Sequence, residues 1–164
     1  MMAPANPSPA LALGRAWDRL HRLPGGTWLF SRLLGWMAPY TGTIGAHVRE
    51  LRPGYARVTL RDRRKVRQHL RSIHAVALVN LGEVTSGLAM LLALPPGVRS
   101  IVTQLTTEYF KKARGTVTAI GKAEPPTSIS TDTDCEVVAE VFDAAGDLVS
   151  RTTVIWRLRP EEAV

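Results

Sequence analysis

The sequence of 164 residues has the length of one domain and is long enough to bury a hydrophobic core of its own. Its formal net charge of +7 favours an anionic partner, which can be a small molecule bearing phosphates, a nucleic acid or an acidic membrane surface. The single cysteine, Cys135, excludes an intrachain disulfide and a zinc cluster. No nucleic-acid-binding motif accompanies the charge, so a nucleic acid is not the expected partner.

The N-terminal part predicts a tail and a helical extension. Residues 1–10 are rich in Pro and Ala and are expected to be disordered, whereas residues 11–40 are expected to be helical. One helix would cover residues 11–22, and a second, capped by Thr27, would end before Pro39. This extension carries three of the four tryptophans. It is either an amphipathic membrane-surface anchor or a flap that packs on the domain or covers a ligand tunnel, and its few basic residues favour the flap.

The rest of the chain, residues 41–160, predicts one domain of strands around a single helix. Alternation of polar and apolar residues predicts six strands, over residues 44–51, 55–60, 98–110, 116–122, 135–143 and 148–157. Between the second and third strands, a nearly continuous apolar run predicts a helix over residues 73–94, with Ser72 as N-cap and Pro95 beyond its end.

The apolar helix contains one formally charged side chain, Glu83, and burying an unpaired carboxylate costs its solvation. The run is long enough to cross a membrane, but this charge and the polar Asn80 and Thr85 disfavour a membrane span. Strands joined by short turns form an antiparallel sheet, and a single apolar helix must lie against one of its faces. The expected fold class is therefore α+β, with a curved antiparallel sheet wrapped around one long central helix.

Residues 67–83, RQHLRSIHAVALVNLGE, resemble the central motif of hotdog-fold acyl-CoA thioesterases of the phenylacetate-pathway type. They are closer still to an uncharacterised thioesterase-like hotdog family. In these families a His opens the helix and an acid follows nine positions later, the spacing of His74 and Glu83. Gln68 stands six positions before this His, where the family carries Asn or Gln. The resemblance covers about residues 43–159 and implies the hotdog fold.

The motif departs from the family at two places. The frequent His-Gly-Gly is His74-Ala75-Val76 in this sequence, which narrows the approach to the helix start. One turn beyond the acid, where a polar residue is frequent, stands Gly87, so another group must assist the acid, or none does.

The resemblance implies hydrolysis of an acyl thioester, and each motif residue then has a chemical task. Glu83 would be the general base toward water, or would attack the carbonyl itself, and its apolar surroundings should raise its proton affinity. A free N–H group of Ala75 or Val76 would hold the developing oxyanion. Gln68 would orient the water or the carbonyl, and His74 would fix the start of the helix by hydrogen bonds.

The same resemblance suggests how the substrate is held. Candidate substrate-binding residues are Asn80, Val76, Gly87, Thr106 and, for the phosphates of coenzyme A, Lys111, Lys112 and Arg114. Ala75 and Glu83 are about 12 Å apart along one helix, so a site that uses both should join two subunits. The expected assembly is a homodimer or a dimer of dimers.

No metal or redox cofactor is expected, because coenzyme A is part of the substrate and no histidines have metal-ligand spacing. The sequence has no basic residue before Arg15, so we expect no secretory signal and a cytoplasmic location. An acyl carrier protein is a less favoured thiol carrier. The rival functions are a non-catalytic acyl-CoA-binding module, a hotdog dehydratase acting on hydroxyacyl thioesters, and a membrane-peripheral interaction protein.

Overall fold

The computed structural model describes residues 9–161, which form a six-stranded antiparallel sheet packed around one long helix. The helices are α1 (Pro9–Leu20), α2 (Gly26–Met37), α3 (Pro39–Gly42) and α4 (Ala75–Ala93). The strands are β1 (His47–Arg52), β2 (Tyr55–Leu60), β3 (Val98–Tyr109), β4 (Val117–Lys122), β5 (Thr133–Phe142) and β6 (Leu148–Pro160). The strand order is β1-β2-β4-β5-β6-β3, and the α+β architecture predicted from the sequence is confirmed.

The long strand β3 forms one edge of the sheet. It pairs with β6 from Val98 to Tyr109, and within residues 9–161 no strand pairs with its other side. The backbone groups on that side of β3 therefore form a row of open hydrogen-bonding positions.

Glycines allow α4 to lie close against the sheet. A Cβ atom added to Gly82 would stand 2.4 Å from Thr152 Oγ1, and one added to Gly121 of β4 would stand 2.9 Å from the carbonyl oxygen of Thr85. The helix is long and apolar enough to cross a membrane, but most of it is buried inside the domain. As the sequence predicted, α4 is the core helix of the sheet.

The start of α4 differs from the prediction. The N-cap is His74, whose Nδ1 accepts a hydrogen bond from the Val76 N–H at 3.1 Å, so the helix begins at Ala75. Ser72, the predicted cap, is 1% exposed, and its hydroxyl accepts a hydrogen bond from Gln68 Nε2 at 2.9 Å. Ser72 closes the preceding loop instead, because its side chain is already engaged there.

The N-terminal helices also begin elsewhere than predicted. Residues 1–8 of the expected disordered tail lie outside the described residues, but α1 begins at Pro9, so the end of that tail is helical. Helix α2 is capped by Gly25, and Thr27 Oγ1 instead bonds to His47 Nε2 at 3.0 Å. Pro39 is the first residue of α3.

The inner faces of α1 and α2 pack on the domain. Trp17 of α1 and Phe30 of α2 are 5% and 1% exposed, and their rings meet edge to face at a centroid distance of 5.0 Å. This aromatic pair belongs to the same hydrophobic core as the sheet. The helical extension is therefore part of the folded unit.

We predict that Gly82→Ala destabilises the protein by about 1–3 kcal/mol, because the new methyl group would overlap Thr152 and force α4 away from the sheet. The free energy of unfolding from urea titration measures the loss. Gly14→Ala in α1 is the matched control, because no atom lies within 4 Å of its added Cβ, and a helical Ala should leave stability unchanged or raise it by up to about 1 kcal/mol. Equal effects of the two substitutions would contradict the packing argument.

Candidate active site

Glu83 lies in the middle of α4 and is half-buried. Burial raises the pKa of its carboxyl above the ordinary value. No hydrogen bond or ion pair of this carboxylate is present among residues 9–161, so no cation compensates its lost solvation. This direction agrees with the raised proton affinity expected from the sequence.

The Glu83 side chain lies on a stripe of α4 that is incompletely covered between the helix start and Glu83, and we call this part of the helix surface the open stripe. With 100° per residue, Val76 stands two turns before Glu83 on the same stripe, and Val76 is 52% exposed. Gly82 faces the sheet at Thr152, about 100° around the helix. The carboxylate and the start of α4 therefore open toward the same side of the molecule.

Of the two predicted oxyanion donors at the start of α4, one is occupied. The Val76 N–H donates to His74 Nδ1, so it is not open to a substrate carbonyl. The Ala75 N–H makes no hydrogen bond within the described part of the chain, and Ala75 is exposed. Tyr109 at the end of β3 donates its hydroxyl proton to the Ala75 carbonyl oxygen at 3.2 Å. The open donor is therefore that of Ala75.

Gln68 supports the loop that precedes α4. Its Nε2 donates to Ser72 Oγ at 2.9 Å, and its backbone N–H donates to the Ser72 carbonyl oxygen at 2.9 Å. Between them Arg71 adopts a left-handed conformation with φ 56°, which Gln68 and Ser72 hold in place. Gln68 thus acts on the helix start through the loop, and it stays a prediction that its amide also meets the substrate.

Asn80 faces α3 and makes no hydrogen bond to Glu83. It is 5% exposed, and its Nδ2 donates to the Tyr40 carbonyl oxygen at 3.3 Å. Its Oδ1 is buried and has no hydrogen-bond partner within residues 9–161. Asn80 borders a cavity of about 230 Å³ beside the start of α4, together with Tyr40, Thr43, Ile44, Lys65, Val66, Arg67, His74, Val76 and Ala77. The structure thus shows Asn80 in contact with a backbone group, and its contact with the substrate stays a prediction.

Gly87 lies one turn beyond Glu83 but is covered by the sheet, and Thr106 lies on the face of β3 away from α4. An added Cβ on Gly87 would lie 3.1 Å from the indole of Trp156, so this glycine makes room for packing. On β3, Thr107 rather than Thr106 faces α4, because its hydroxyl bonds to Thr152 Oγ1 at 3.0 Å and Thr152 contacts Gly82. Thr106 lies on the opposite face of β3 from Thr107, and its contact with the substrate stays a prediction.

The three cationic residues predicted to bind phosphates differ in their ion-pair partners. Lys111 Nζ pairs with Asp143 at 2.6 Å and with Asp147 at 2.7 Å, and these hydrogen bonds raise the pKa of Lys111. Arg114 lies near Asp62, whose pKa is lowered chiefly by its hydrogen bond from Arg67 and to a smaller extent by the Arg114 charge. Lys112 is exposed and has no ion pair in the described range. Lys111 is therefore less suited to a phosphate than Lys112 and Arg114.

We predict that Glu83→Gln makes the protein more stable than wild type at about pH 8 but not at about pH 4. Because the pKa of Glu83 is raised in the folded state, the folded protein binds this proton more tightly than the unfolded chain, and stability is lost as the pH rises through that range. Glutamine cannot ionise and avoids the loss. Urea titrations at the two pH values measure the difference, with Glu136→Gln, an exposed carboxylate of β5, as control. A pH-independent difference for Glu83→Gln would contradict the prediction.

Comparisons with known proteins give a family and a fold. Residues 26–158 match the family model described as a domain of unknown function, DUF4442, and no curated protein matches the sequence. The crystal structure of the genomics target APC5556 is 29% identical with a TM-score of 0.79, covering 91% of this chain and 99% of that chain. A Pseudomonas aeruginosa protein of unknown function, described as a probable thioesterase, is 20% identical with a TM-score of 0.73, covering 85% of this chain and 97% of its own. A Haemophilus influenzae thioesterase is 14% identical with a TM-score of 0.67, covering 79% of this chain and 90% of that chain. The chain therefore belongs to the DUF4442 family, an uncharacterised family with the thioesterase-like hotdog fold.

Proposed function

We propose that this protein hydrolyses an acyl thioester of coenzyme A to the free acid and the thiol. The observation that carries the proposal is Glu83, a half-buried carboxylate on the open stripe of α4 without an ion pair in the described chain. A buried carboxylate kept only for structure is usually paired, whereas a general base benefits from the raised pKa that burial gives. The likeness to hotdog structures described as thioesterases supports the same class of reaction.

In this proposal Glu83 takes a proton from water while the water oxygen attacks the carbonyl carbon of the thioester. The carbonyl oxygen becomes an oxyanion and is held by the Ala75 N–H at the positive end of α4. When the tetrahedral intermediate collapses, the C–S bond breaks and the thiolate takes the proton back from Glu83. In a second route, Glu83 attacks the carbonyl itself and water then hydrolyses the resulting anhydride.

The proposed site is shared between two copies of the chain. Ala75 and Glu83 are about 12 Å apart along the axis of α4, too far to act on one carbonyl carbon. Pairing of two open β3 edges would continue the sheet through a dimer and turn the open stripes of two α4 helices toward each other. Each site would then combine Ala75 of one copy with Glu83 of the other.

The thiol carrier is proposed to be coenzyme A because cations lie near the end of β3. Lys112 and Arg114 follow Tyr109, whose hydroxyl contacts the first turn of α4, so phosphates at these cations would lie on the same side as the helix start. Lys111 contributes less, since two carboxylates already neutralise it.

A second candidate function is a non-catalytic module that binds acyl-CoA. It is favoured by Gly87, which packs against Trp156 one turn beyond Glu83 and offers no polar group to assist the carboxylate. In that case the pocket would bind the thioester, and Glu83 would not turn it over.

We predict that Glu83→Gln lowers kcat for thiol release by about 10²- to 10⁴-fold, because the amide cannot accept the proton of water. Release of free thiol from a panel of acyl-CoAs is measured for wild type, Glu83→Gln and the control Glu136→Gln, which removes a carboxylate on β5. Equal release by wild type and Glu83→Gln would remove Glu83 as catalyst. Tight binding of acyl-CoA by wild type without release would favour the binding module.

We predict that Ala75→Pro, which deletes the open N–H, lowers kcat by about 10²- to 10³-fold without unfolding the helix. Proline is tolerated at the first helical position, and His74 before it already has the extended conformation that proline requires, with φ −66° and ψ 140°. Circular dichroism checks that α4 is intact.

The shared site predicts complementation between the two inactive variants. When Ala75→Pro and Glu83→Gln are unfolded together and refolded, about half of the dimers are mixed, and each mixed dimer has one intact site of two. Activity should return to about a quarter of wild type. No recovery, with mixed dimers shown by mass spectrometry, would place both groups in one subunit.

A further inference from the structure

The outward face of α2 is apolar although it is not covered by the domain. Phe30, on its inner side, is 1% exposed, whereas the exposed residues of the helix include Trp28, Leu29, Arg32, Leu33 and Trp36. We call these five residues the tryptophan face. Trp36 is 80% exposed and Trp28 is 58% exposed. A surface helix of a soluble domain normally directs polar residues outward, so an exposed apolar face of this kind indicates an interaction surface.

A cleft lined by arginines lies beside the tryptophan face. It has a volume of about 580 Å³ and is lined chiefly by residues of α2, β1 and β2 and of the loops next to them. Its charged or ionisable lining residues are Arg32, Arg49, Arg61, Arg63 and His47. None of the described residues that line it is acidic, and the sequence has no Asp or Glu between Asp18 and Glu50. The cleft is therefore positively charged without internal compensation.

Three arginines of the cleft contact neutral groups of the protein. Arg63 donates from Nη2 to the Ile44 carbonyl oxygen at 2.6 Å, and Arg49 donates from Nε to Thr59 Oγ1 at 3.1 Å. The Arg32 guanidinium lies 5.7 Å from the centroid of the Trp28 ring. Carbonyl and hydroxyl groups do not neutralise a guanidinium, so these groups can still bind an anion bidentately.

We propose that the tryptophan face and the arginine cleft together form a docking surface for a bilayer that contains anionic lipid. The two indoles and the leucines enter the boundary between headgroups and acyl chains, where tryptophan is favoured in membrane proteins. The arginines then meet the lipid phosphates at the level of the headgroups. This surface is independent of Glu83 and of any thioester chemistry.

A second copy of this chain is a poorer occupant for the same surface. In a two-fold symmetric contact the same patch lies on both sides, so the arginine clefts of both copies would be enclosed in one interface. With no carboxylate among the lining residues, such a contact would bring like charges together. A bilayer with anionic lipid offers acyl chains to the apolar residues and phosphates to the arginines.

The structure favours the membrane-surface role of the N-terminal extension more than the sequence alone does. The few basic residues of the N-terminal segment disfavoured a membrane anchor, but Arg49, Arg61 and Arg63 come from β1 and the loop after β2 and join the same side. Only the folded chain brings these arginines to the tryptophans, because they are separated from α2 in sequence.

The test is co-flotation of the full chain with vesicles of phosphatidylcholine alone or mixed equally with phosphatidylglycerol. We expect binding to the mixed vesicles that weakens with added salt, and little binding to phosphatidylcholine alone. The double variant Arg49→Gln/Arg61→Gln should bind about 20- to 30-fold more weakly, since each arginine near an anionic surface contributes about fivefold. The double variant Trp28→Ala/Trp36→Ala should bind at least about tenfold more weakly.

Matched controls remove the same kinds of side chain outside the surface. Leu70→Ala removes an exposed apolar residue, and Arg99→Gln removes an exposed charge on β3; neither should change binding. Lipids brominated near the headgroup should quench fluorescence of wild type but not of Trp28→Ala/Trp36→Ala. Absence of binding to the mixed vesicles, or equal binding by all variants, would overturn the proposal. A change of oligomeric mass in Trp28→Ala/Trp36→Ala, measured by light scattering, would overturn it in favour of a second copy.

Discussion

The close contact between α4 and the sheet fixes the orientation of everything in the candidate site. Gly82 lies so near Thr152 that a methyl group would not fit between them, and Gly121 also lies close to the backbone of α4 at Thr85. This contact leaves the helix no freedom to rotate about its axis. Because Glu83 follows Gly82 by one residue, it is turned about 100° away from the contact and reaches the open stripe. Packing alone therefore determines where the carboxylate is presented.

The start of α4 offers an open hydrogen-bond donor, whereas its middle carries a carboxylate that is unpaired among the described residues. At the start, His74 satisfies the Val76 N–H and leaves that of Ala75 open at the positive end of the helix dipole. In the middle, Glu83 lacks a compensating cation within residues 9–161, which costs stability whenever it is ionised. A polar group that weakens the fold and is nevertheless present is best understood through chemistry. The proposed hydrolysis uses both features in one reaction, provided that two helices contribute.

Most of the architecture follows from local patterns. The alternation of strand residues predicts the six strands, because a strand buried on one face alternates apolar and polar residues. The continuous apolar run predicts the core helix, because α4 is buried on most sides. The helix cap was misplaced, since Ser72 and His74 are both capable of capping, and only the loop hydrogen bonds of Gln68 decide between them. Alternation likewise cannot say which of two neighbouring residues of β3, Thr106 or Thr107, faces the helix.

The row of open hydrogen-bonding groups along β3 has a consequence during synthesis. A newly made copy carries twelve residues of strand ready to pair with any extended chain nearby, and Ile101 on that strand is 66% exposed. If two copies pair through β3, as proposed, each covers the open edge of the other. A copy that has not yet found its partner keeps that edge open to foreign segments.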